Sequence, residues 1–243
     1  GPGTLLYGNN GFAGVVNIIN PLIAVDKPLA DENYELGFGY KTSGGELGTA
    51  LKLSKSVNNF TVRGSGSLLS AGPYDLANVS TKQANSSKFM SSGGVGITYN
   101  DGENFLGVSL DKLEAVYQNP GAEGEENMTS LNPTRNTVSF NSSLALNYMV
   151  FEKFNLEGSV SEYNHAERTG DGNNHNITFF NDLYELKTSL NHKSLFNQNV
   201  EGLIGFHFQN KNQGATGSEE GHLTPTKTNS FAFFVLELSL IHI

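Results

Sequence analysis

Histidine and carboxylate side chains are the residues of this chain whose types and spacing could do chemistry. The stretch HAERTGDGNNHNITF places two histidines around two carboxylates in one polar passage, and four further histidines follow it, of which two are candidate ligands. Imidazole and carboxylate ligands together can hold a zinc ion. The candidate metal ligands are His165, Glu167, Asp171, His175, His207 and His222.

An ordinary solvated surface is the competing interpretation of the same residues. The passage is rich in Asn, Gly and Glu, and it contains no tight ligand spacing such as His-x₃-His. The residues alone therefore leave both interpretations open.

Catalytic motifs are missing from the sequence. There is no GxSxG or HExxH pattern and no cysteine, and GYKTSGG at Gly39 lacks the first glycine of a phosphate-binding loop. We therefore predict that the protein is not an enzyme and has no resident cofactor. The net charge is −9 without any Lys/Arg cluster, so we expect no nucleic-acid partner.

Apolar residues alternate with small or polar ones along most of the chain after residue 32, which predicts β-strands with one apolar face. In NYELGFGYK, for example, Tyr34, Leu36 and Phe38 share one side. About ten meander strands are expected. Short turns are predicted near 56–59, 100–104, 151–153 and 194–198, a tight turn at 42–45, and long polar loops at 71–87, 118–134, 165–177 and 211–227.

Two architectures fit this alternation. A soluble β-sandwich would use strands of about five or six residues. Here many strands are expected to reach about ten residues, with the long loops at one end, which favours an outer-membrane β-barrel. No stretch approaches the ~20 apolar residues of a membrane-spanning helix. Aromatic residues near strand ends would suit the interfacial girdles of a barrel: Tyr34, Tyr40, Tyr99, Tyr117, Tyr148 and Phe154.

The opening, GPGTLLYGNNGFAGVVNIIN, adds a specific signal. Its Gly1-Pro2 start, Leu5–Gly8 segment, glycine turn and Gly14–Ile18 strand resemble the C-terminal end of the plug domain in TonB-dependent outer-membrane receptors. The apolar run around Val15 and Val16 is typical of a strand buried on both faces.

A second resemblance begins at Phe179. The stretch FFNDLYELKTSLNHKS, the following EGLIGFHFQ strand and the motif LTPTKTNS at Leu223 are similar to the mid-barrel region of a zinc-receptor-like subgroup of the same family. The order and spacing of the two resemblances fit one receptor.

The resemblance implies a domain organisation. Residues 1–24 would be the end of a plug domain, 25–32 a linker, and 33–243 the first part of a transmembrane antiparallel β-barrel in the bacterial outer membrane. Most of the plug, its energy-coupling box and about half of the barrel strands of a complete receptor would lie outside this sequence, so we expect a fragment. The terminal LSLIHI does not match the family.

The resemblance also implies a function. Such a receptor takes up a scarce nutrient, here a zinc ion or an iron–siderophore complex, with energy delivered by the TonB protein. The candidate ligands would then capture cargo, and outer-membrane lipid would surround the barrel. The alternatives are a passive outer-membrane porin or adhesin barrel, and a soluble β-sandwich that binds glycans.

Overall fold

The computed structural model describes residues 21–26, 32–76, 80–120, 129–169, 174–193, 200–217, 221 and 223–239. Within these ranges the chain is all-β, and ten strands form one antiparallel sheet in which each strand pairs with the next. The strands are β1 (Glu32–Lys41), β2 (Glu46–Val57), β3 (Phe60–Ala71), β4 (Lys88–Asn100), β5 (Phe105–Asn119), β6 (Thr129–Tyr148), β7 (Phe151–Thr169), β8 (Asn174–Lys193), β9 (Val200–Gly217) and β10 (Thr226–Ser239).

The predicted all-β class, strand number and meander order are confirmed. The sheet is open in the described ranges, because β1 pairs with β2 alone and β10 pairs with β9 alone. Of the predicted plug segment, residues 1–20 lie outside the described ranges, and so do residues 27–31 of the predicted linker. In the described parts of the chain, no helix is long and apolar enough to cross a membrane.

Strand ends differ from the prediction at several connections. β6 already begins at Thr129 and β9 continues to Gly217, so the loops expected at 118–134 and 211–227 are shorter than predicted. The turn expected at 194–198 lies outside the described residues. The long loop expected at 165–177 is wrong, because β7 continues to Thr169 and β8 begins at Asn174. Backbone pairing between Glu167 and Ile177 and between Arg168 and His175 replaces most of that loop. Both faces of these strands are polar there, so the sequence lacks the alternation that marks a half-buried strand. The turn expected at 151–153 is also misplaced, because β7 already begins at Phe151.

The connections give the sheet two distinct ends. Short links join β2 to β3, β4 to β5 and β6 to β7 at one end, which we call the turn side. The links from β3 to β4, from β5 to β6 and from β9 to β10 lie at the other end, the loop side. The tight turn expected at 42–45 is confirmed, and Gly44 and Gly45 have φ angles of 72° and 57°, which glycine adopts without a steric penalty.

The two faces of the sheet differ in composition. One face carries a band of large apolar side chains, the apolar belt, and we call the opposite side the polar face. The belt residues include Tyr34, Leu36, Phe38 and Tyr40 of β1, Leu51 and Leu53 of β2, Val62 of β3, Val95 and Ile97 of β4, Leu106, Val108 and Leu110 of β5, Val138 and Phe140 of β6, Val160 of β7, Leu186 of β8, Ile204, Phe206 and Phe208 of β9, and Phe231, Phe233 and Val235 of β10.

Candidate functional site

Residues 21–26 pack on the polar face of β3, β4 and β5. Leu22, Ile23 and Ala24 of this segment are all buried. The Ala24 N–H donates to the Thr98 hydroxyl at 3.0 Å, and the Asn100 side-chain amide donates to the Val25 carbonyl at 2.7 Å. These contacts attach the segment to the sheet immediately before the chain continues toward β1.

Glycines on the polar face make room for the segment. A Cβ atom built on Gly96 would lie 2.2 Å from the Leu22 carbonyl oxygen, and one on Gly107 would lie 2.5 Å from Ile23 Cγ2. Gly94 is equally crowded, since its Cβ would lie 2.6 Å from Leu22 Cδ1. Real Cβ atoms do not approach other atoms this closely, so the Leu22 backbone and the Leu22 and Ile23 side chains lie this close to the sheet only because these positions lack side chains. We call the three glycines the glycine socket.

A hydrogen bond from the neighbouring strand extends this attachment. The Arg63 guanidinium of β3 donates to the Pro21 carbonyl oxygen at 3.1 Å. Beside it, a cavity of about 440 Å³ separates residues 21–26 from the polar side of β1 to β3. The cavity contains charges of both signs, since the ammonium group of Lys52 lies 3.3 Å from the Glu35 carboxylate.

Exposure in the sheet is inverted relative to a soluble β-sheet. Along β4 and β5, Gly96, Thr98, Gly107 and Ser109 of the polar face are buried, whereas the aliphatic belt residues on the other side are exposed. Ile97 is 51% exposed although its neighbour Thr98 is 1% exposed. The belt reaches 81% exposure at Leu36 and 83% at Phe233.

The belt crosses the sheet diagonally. It is centred between Leu36 and Phe38 in β1 and on Phe233 in β10. Residues that pair directly with one another on successive strands form a cross-strand row. The row that contains Phe233 includes Leu106 in β5 and ends in β2 at Val57. Extended to β1, this row would lie about seven residues before the belt's centre there. At ~3.3 Å per residue and ~4.8 Å per strand step, the belt is inclined to the rows by roughly 30°.

A row of polar side chains borders the belt on its loop side in β5 to β10. These residues are direct cross-strand neighbours, and they lie on the same face as the belt. Beyond this row the strands continue with polar residues on that face, as Thr134 and Asn164 illustrate. The row consists of Lys112, Asn136, Glu162, Asp182, Asn212 and Lys227.

Two of the predicted metal ligands are neighbours on the polar face of β7. His165 Nε2 lies 3.6 Å from Glu167 Oε1, and its Nδ1 is 3.2 Å from the Tyr163 hydroxyl. The Phe179 ring of β8 lies near His165 in an edge-to-face arrangement, with the two ring centroids 6.3 Å apart. His165 and Glu167 therefore form a pair on a strand and not on the loop that the sequence predicted.

The other predicted ligands do not complete a site in the described ranges. His175 lies in β8, where its backbone pairs with Arg168, and nothing is described of its side chain. Asp171 and His222 lie outside the described residues. Among the residues that the structure describes, no group of three His, Asp or Glu side chains is placed to hold a metal ion.

His207 is far from this pair. It lies on the polar face of β9, and its Nε2 is 2.7 Å from Glu185 Oε1. The row of His165 crosses β9 at Ala215, eight residues beyond His207, which corresponds to ~26 Å along the strand. The pairing of His207 with Glu185 could not be predicted from residue spacing, because it depends on the register between β8 and β9.

An ordered turn joins β4 to β5 below the glycine socket. Asp101 Oδ1 accepts the backbone N–H groups of Glu103 and Asn104 at 2.9 and 2.7 Å, and its Oδ2 accepts the Tyr99 hydroxyl at 3.1 Å. These hydrogen bonds, led by that from the Asn104 backbone, hold the pKa of the Asp101 carboxyl well below its ordinary value. Asn100 links this turn to residues 21–26, because its side chain also accepts the Gly102 N–H.

Comparison of the sequence with models of known protein families gives no match, and a search of curated proteins finds no similar chain.

Proposed function

We propose that the chain is part of a TonB-dependent outer-membrane receptor that actively imports a metal ion, such as zinc, or an iron–siderophore complex. In this proposal the sheet is a segment of the barrel wall. The apolar belt contacts lipid, and the polar face lines the interior that the plug occupies.

The observation that carries the proposal is the inverted burial of β4 and β5. A sheet in water buries its large apolar side chains and exposes its polar ones. Here Val95 and Ile97 are about half exposed, whereas Gly96 and Thr98 are buried beneath residues 21–26. A sheet with apolar residues outward and small or polar residues inward suits a barrel that is surrounded by hydrocarbon.

The inclination of the belt supports the same interpretation. In a transmembrane barrel the strands tilt by about 35–45° from the membrane normal, so a belt parallel to the membrane must cross the cross-strand rows obliquely. The observed inclination of roughly 30° is close to that value. A β-sandwich that packs a second sheet on the belt gives no reason for the belt's centre to differ by about seven residues between β1 and β10.

The sequence supports the assignment to this particular family. The plug-like passage at 1–20 immediately precedes residues 21–26, and those residues lie on the polar face. A chain that leaves a plug inside a barrel has to reach the wall from that side. A passive porin or adhesin barrel has no plug, so it gives no reason for this placement.

Cargo binding is assigned to the loop-side part of the polar face. His165 and Glu167 supply imidazole and carboxylate groups there, and Asp171, His175 and His222 belong to neighbouring stretches of the chain. The protein would act by binding its cargo differently in the loaded and empty states, and TonB would supply the energy. Lipid, TonB and the metal-containing cargo are the partners of this proposal, and neither nucleic acid nor an enzymatic reaction is part of it.

Adjacent residues on opposite faces provide the test of membrane insertion. The chain has no cysteine, so a single cysteine carrying an environment-sensitive fluorophore reports one position. In phospholipid vesicles we expect Phe38→Cys and Phe233→Cys to give blue-shifted emission that lipid-borne quenchers reduce. The matched controls Gly39→Cys and Ala232→Cys should do neither. Equal signals from both faces would overturn the membrane proposal.

The importer proposal needs a separate measurement. The gene around this sequence should encode the rest of a plug and a TonB-contacting segment upstream. In cells that produce this receptor, uptake of radioactive zinc or iron–siderophore should require TonB and should fall when His165 and Glu167 are replaced by Ala and Gln. Uptake that persists without TonB would overturn the importer proposal and favour the passive-barrel alternative.

A further inference from the structure

A glycine on the belt face, Gly64, opens a groove in the apolar belt itself. Gly64 lies between Leu53 and Val95 in one cross-strand row, and all three positions face the belt side. The nearest atom to a Cβ built on Gly64 is a backbone oxygen 3.9 Å away, so the space above this residue is open. Val62 and Tyr34 add to the walls of a groove of about 450 Å³, which we call the belt groove.

The width of the belt groove limits what it can hold. Its walls, Leu53 and Val95, stand on strands two steps apart, which corresponds to ~9.6 Å between backbones. Their side chains narrow this space further. An α-helix with its side chains is ~10–12 Å across and does not fit between them. A single hydrocarbon chain, which is only a few ångströms wide, does.

A cation lies on the wall of the belt groove, between the row of Gly64 and the Val57 and Phe60 side chains at the groove's turn-side end. Lys55 follows Leu53 on the belt face, its side chain is 58% exposed, and its ammonium group lies 2.6 Å from Glu32 Oε1. An ammonium group has three donors, so Lys55 can bind a second anionic oxygen. Arg63 also borders the groove, but its guanidinium lies on the other face with Pro21.

Aromatic rings mark the same level of the sheet as an interfacial position. Phe60 and Tyr99 lie two residue positions beyond Lys55 toward the turn side, on the same face, with their ring centroids 5.2 Å apart. Aromatic residues of this kind concentrate where hydrocarbon meets headgroups. Lys55 is therefore placed near headgroup level, and Gly64 lies on its loop side, toward the hydrocarbon region.

We propose that the belt groove binds one acyl chain of a phospholipid whose phosphate contacts Lys55. This inference rests on the proposed membrane location and adds a lipid site of defined position to it. The bound lipid fills the gap that Gly64 leaves between Leu53 and Val95, and the lysine holds its headgroup.

The test uses the full chain in phosphatidylcholine vesicles that contain a small fraction of phosphatidylglycerol with a photoreactive group on one acyl chain. Cross-linked residues are located by mass spectrometry. We expect cross-links around Gly64 to exceed those at Leu36 and Phe233 severalfold. Gly64→Leu should reduce them at least fivefold, because a leucine there fills the groove without meeting the backbone.

Two variants complete the design. Gly39→Leu, at an open position on the polar face, is the matched control and should leave the cross-links unchanged. Lys55→Gln should reduce them about threefold. Cross-linking around Gly64 that is the same in the wild type and in Gly64→Leu would overturn the lipid site, while cross-links at Leu36 and Phe233 would still support the membrane location. If none of these belt positions is cross-linked, the proposed membrane location fails, and the lipid site fails with it.

Discussion

Glycines of β3 to β5 lie on both faces of the sheet, and the two sets have opposite surroundings. On the polar face, Leu22 and Ile23 occupy the space next to Gly94, Gly96 and Gly107. A Cβ atom on any of these glycines would lie closer to them than real Cβ atoms approach other atoms. On the belt face, Gly64 and Gly66 face open space, with the nearest atoms 3.8–3.9 Å from a built Cβ.

This difference shows what each face is shaped to contact. The socket glycines fit a segment of the chain itself, so their surroundings are complete in the folded protein. The glycines of the belt are not covered by any described residue, so they face whatever medium surrounds the sheet. One residue type thus gives a close backbone contact on one face and a surface depression on the other.

The largest effect is expected when a side chain is added to a glycine of the glycine socket. In Gly96→Val the new side chain would collide with the Leu22 carbonyl, and overpacking of this kind costs ~1–3 kcal/mol. Because 1.4 kcal/mol corresponds to a factor of ten, hydrogen exchange at the Ala24 N–H should accelerate by up to about 100-fold.

Gly64→Val is the matched control for this experiment, since it adds the same side chain at an open position of the neighbouring strand. It should leave exchange at Ala24 within about twofold of the wild type. Equal acceleration in both variants would mean that the two glycine sets do not differ as described.

Truncation of the inserted side chain is the next largest change. Leu22 is 5% exposed, and Leu→Ala substitutions at buried sites cost ~2–5 kcal/mol. The segment is small and packs on one side only, so we expect the lower end, ~2 kcal/mol, measured as faster exchange at Ala24. Val25→Ala removes a side chain that is 50% exposed and should have little effect. A similar result for both variants would argue against specific packing of Leu22.

The hydrogen bond from Ala24 gives a smaller effect. Thr98→Val keeps the shape of the buried side chain but removes the oxygen that accepts the Ala24 N–H. Loss of one hydrogen bond with a buried donor costs ~1–3 kcal/mol, and partial access of water to the segment's end favours the lower figure. Exchange at Ala24 should rise about fivefold. Thr98→Ser keeps the hydroxyl and should restore most of the protection, which a purely steric role for Thr98 would not explain.

The sequence predicts which residues lie on each face of the sheet. It does not predict that Leu22 and Ile23 pack against the glycine socket. Period-two alternation assigns Leu36 and Phe38 to one side and Gly37 and Gly39 to the other, because successive strand residues point in opposite directions. The same rule separates Gly64 from Arg63, but it does not say which glycines will meet another segment. That depends on where residues 21–26 are placed, and the connection through 27–31 carries no pattern that fixes it.

The candidate site shows the same limit. His165 and Glu167 are two residues apart, so a strand puts them on one face and makes their contact predictable. They were assigned to a loop because the strand around them is polar on both faces. The contact between His207 and Glu185 joins two strands, and its prediction requires the register of β8 and β9. Residue type alone could not supply that register.

The turn that sets the register of β4 and β5 gives the last and smallest prediction. A shift of one residue would exchange Gly96 and Thr98 with Val95 and Ile97 between the faces, so this turn helps to maintain the inverted arrangement. Asp101 holds the turn through the backbone N–H groups of Glu103 and Asn104, which lower the pKa of its carboxyl. Such a group stabilises the fold fully above its unfolded pKa of ~3.9, and this stabilisation is lost as the pH falls toward the lower folded value.

We therefore expect Asp101→Asn to lower the midpoint of guanidinium unfolding modestly at pH 7, because the neutral amide accepts the two N–H groups less strongly than a carboxylate does. The difference from the wild type should be constant between pH 7 and 5 and should shrink below about pH 4, as the wild-type carboxyl takes up its proton. Glu103→Gln removes a neighbouring carboxylate but keeps the N–H that Asp101 accepts, so it should show no such convergence. A difference between Asp101→Asn and the wild type that persists undiminished to pH 2 would show that the carboxylate charge is not what secures the turn, and the register of β4 and β5 would then have to be set by the pairing of the strands alone.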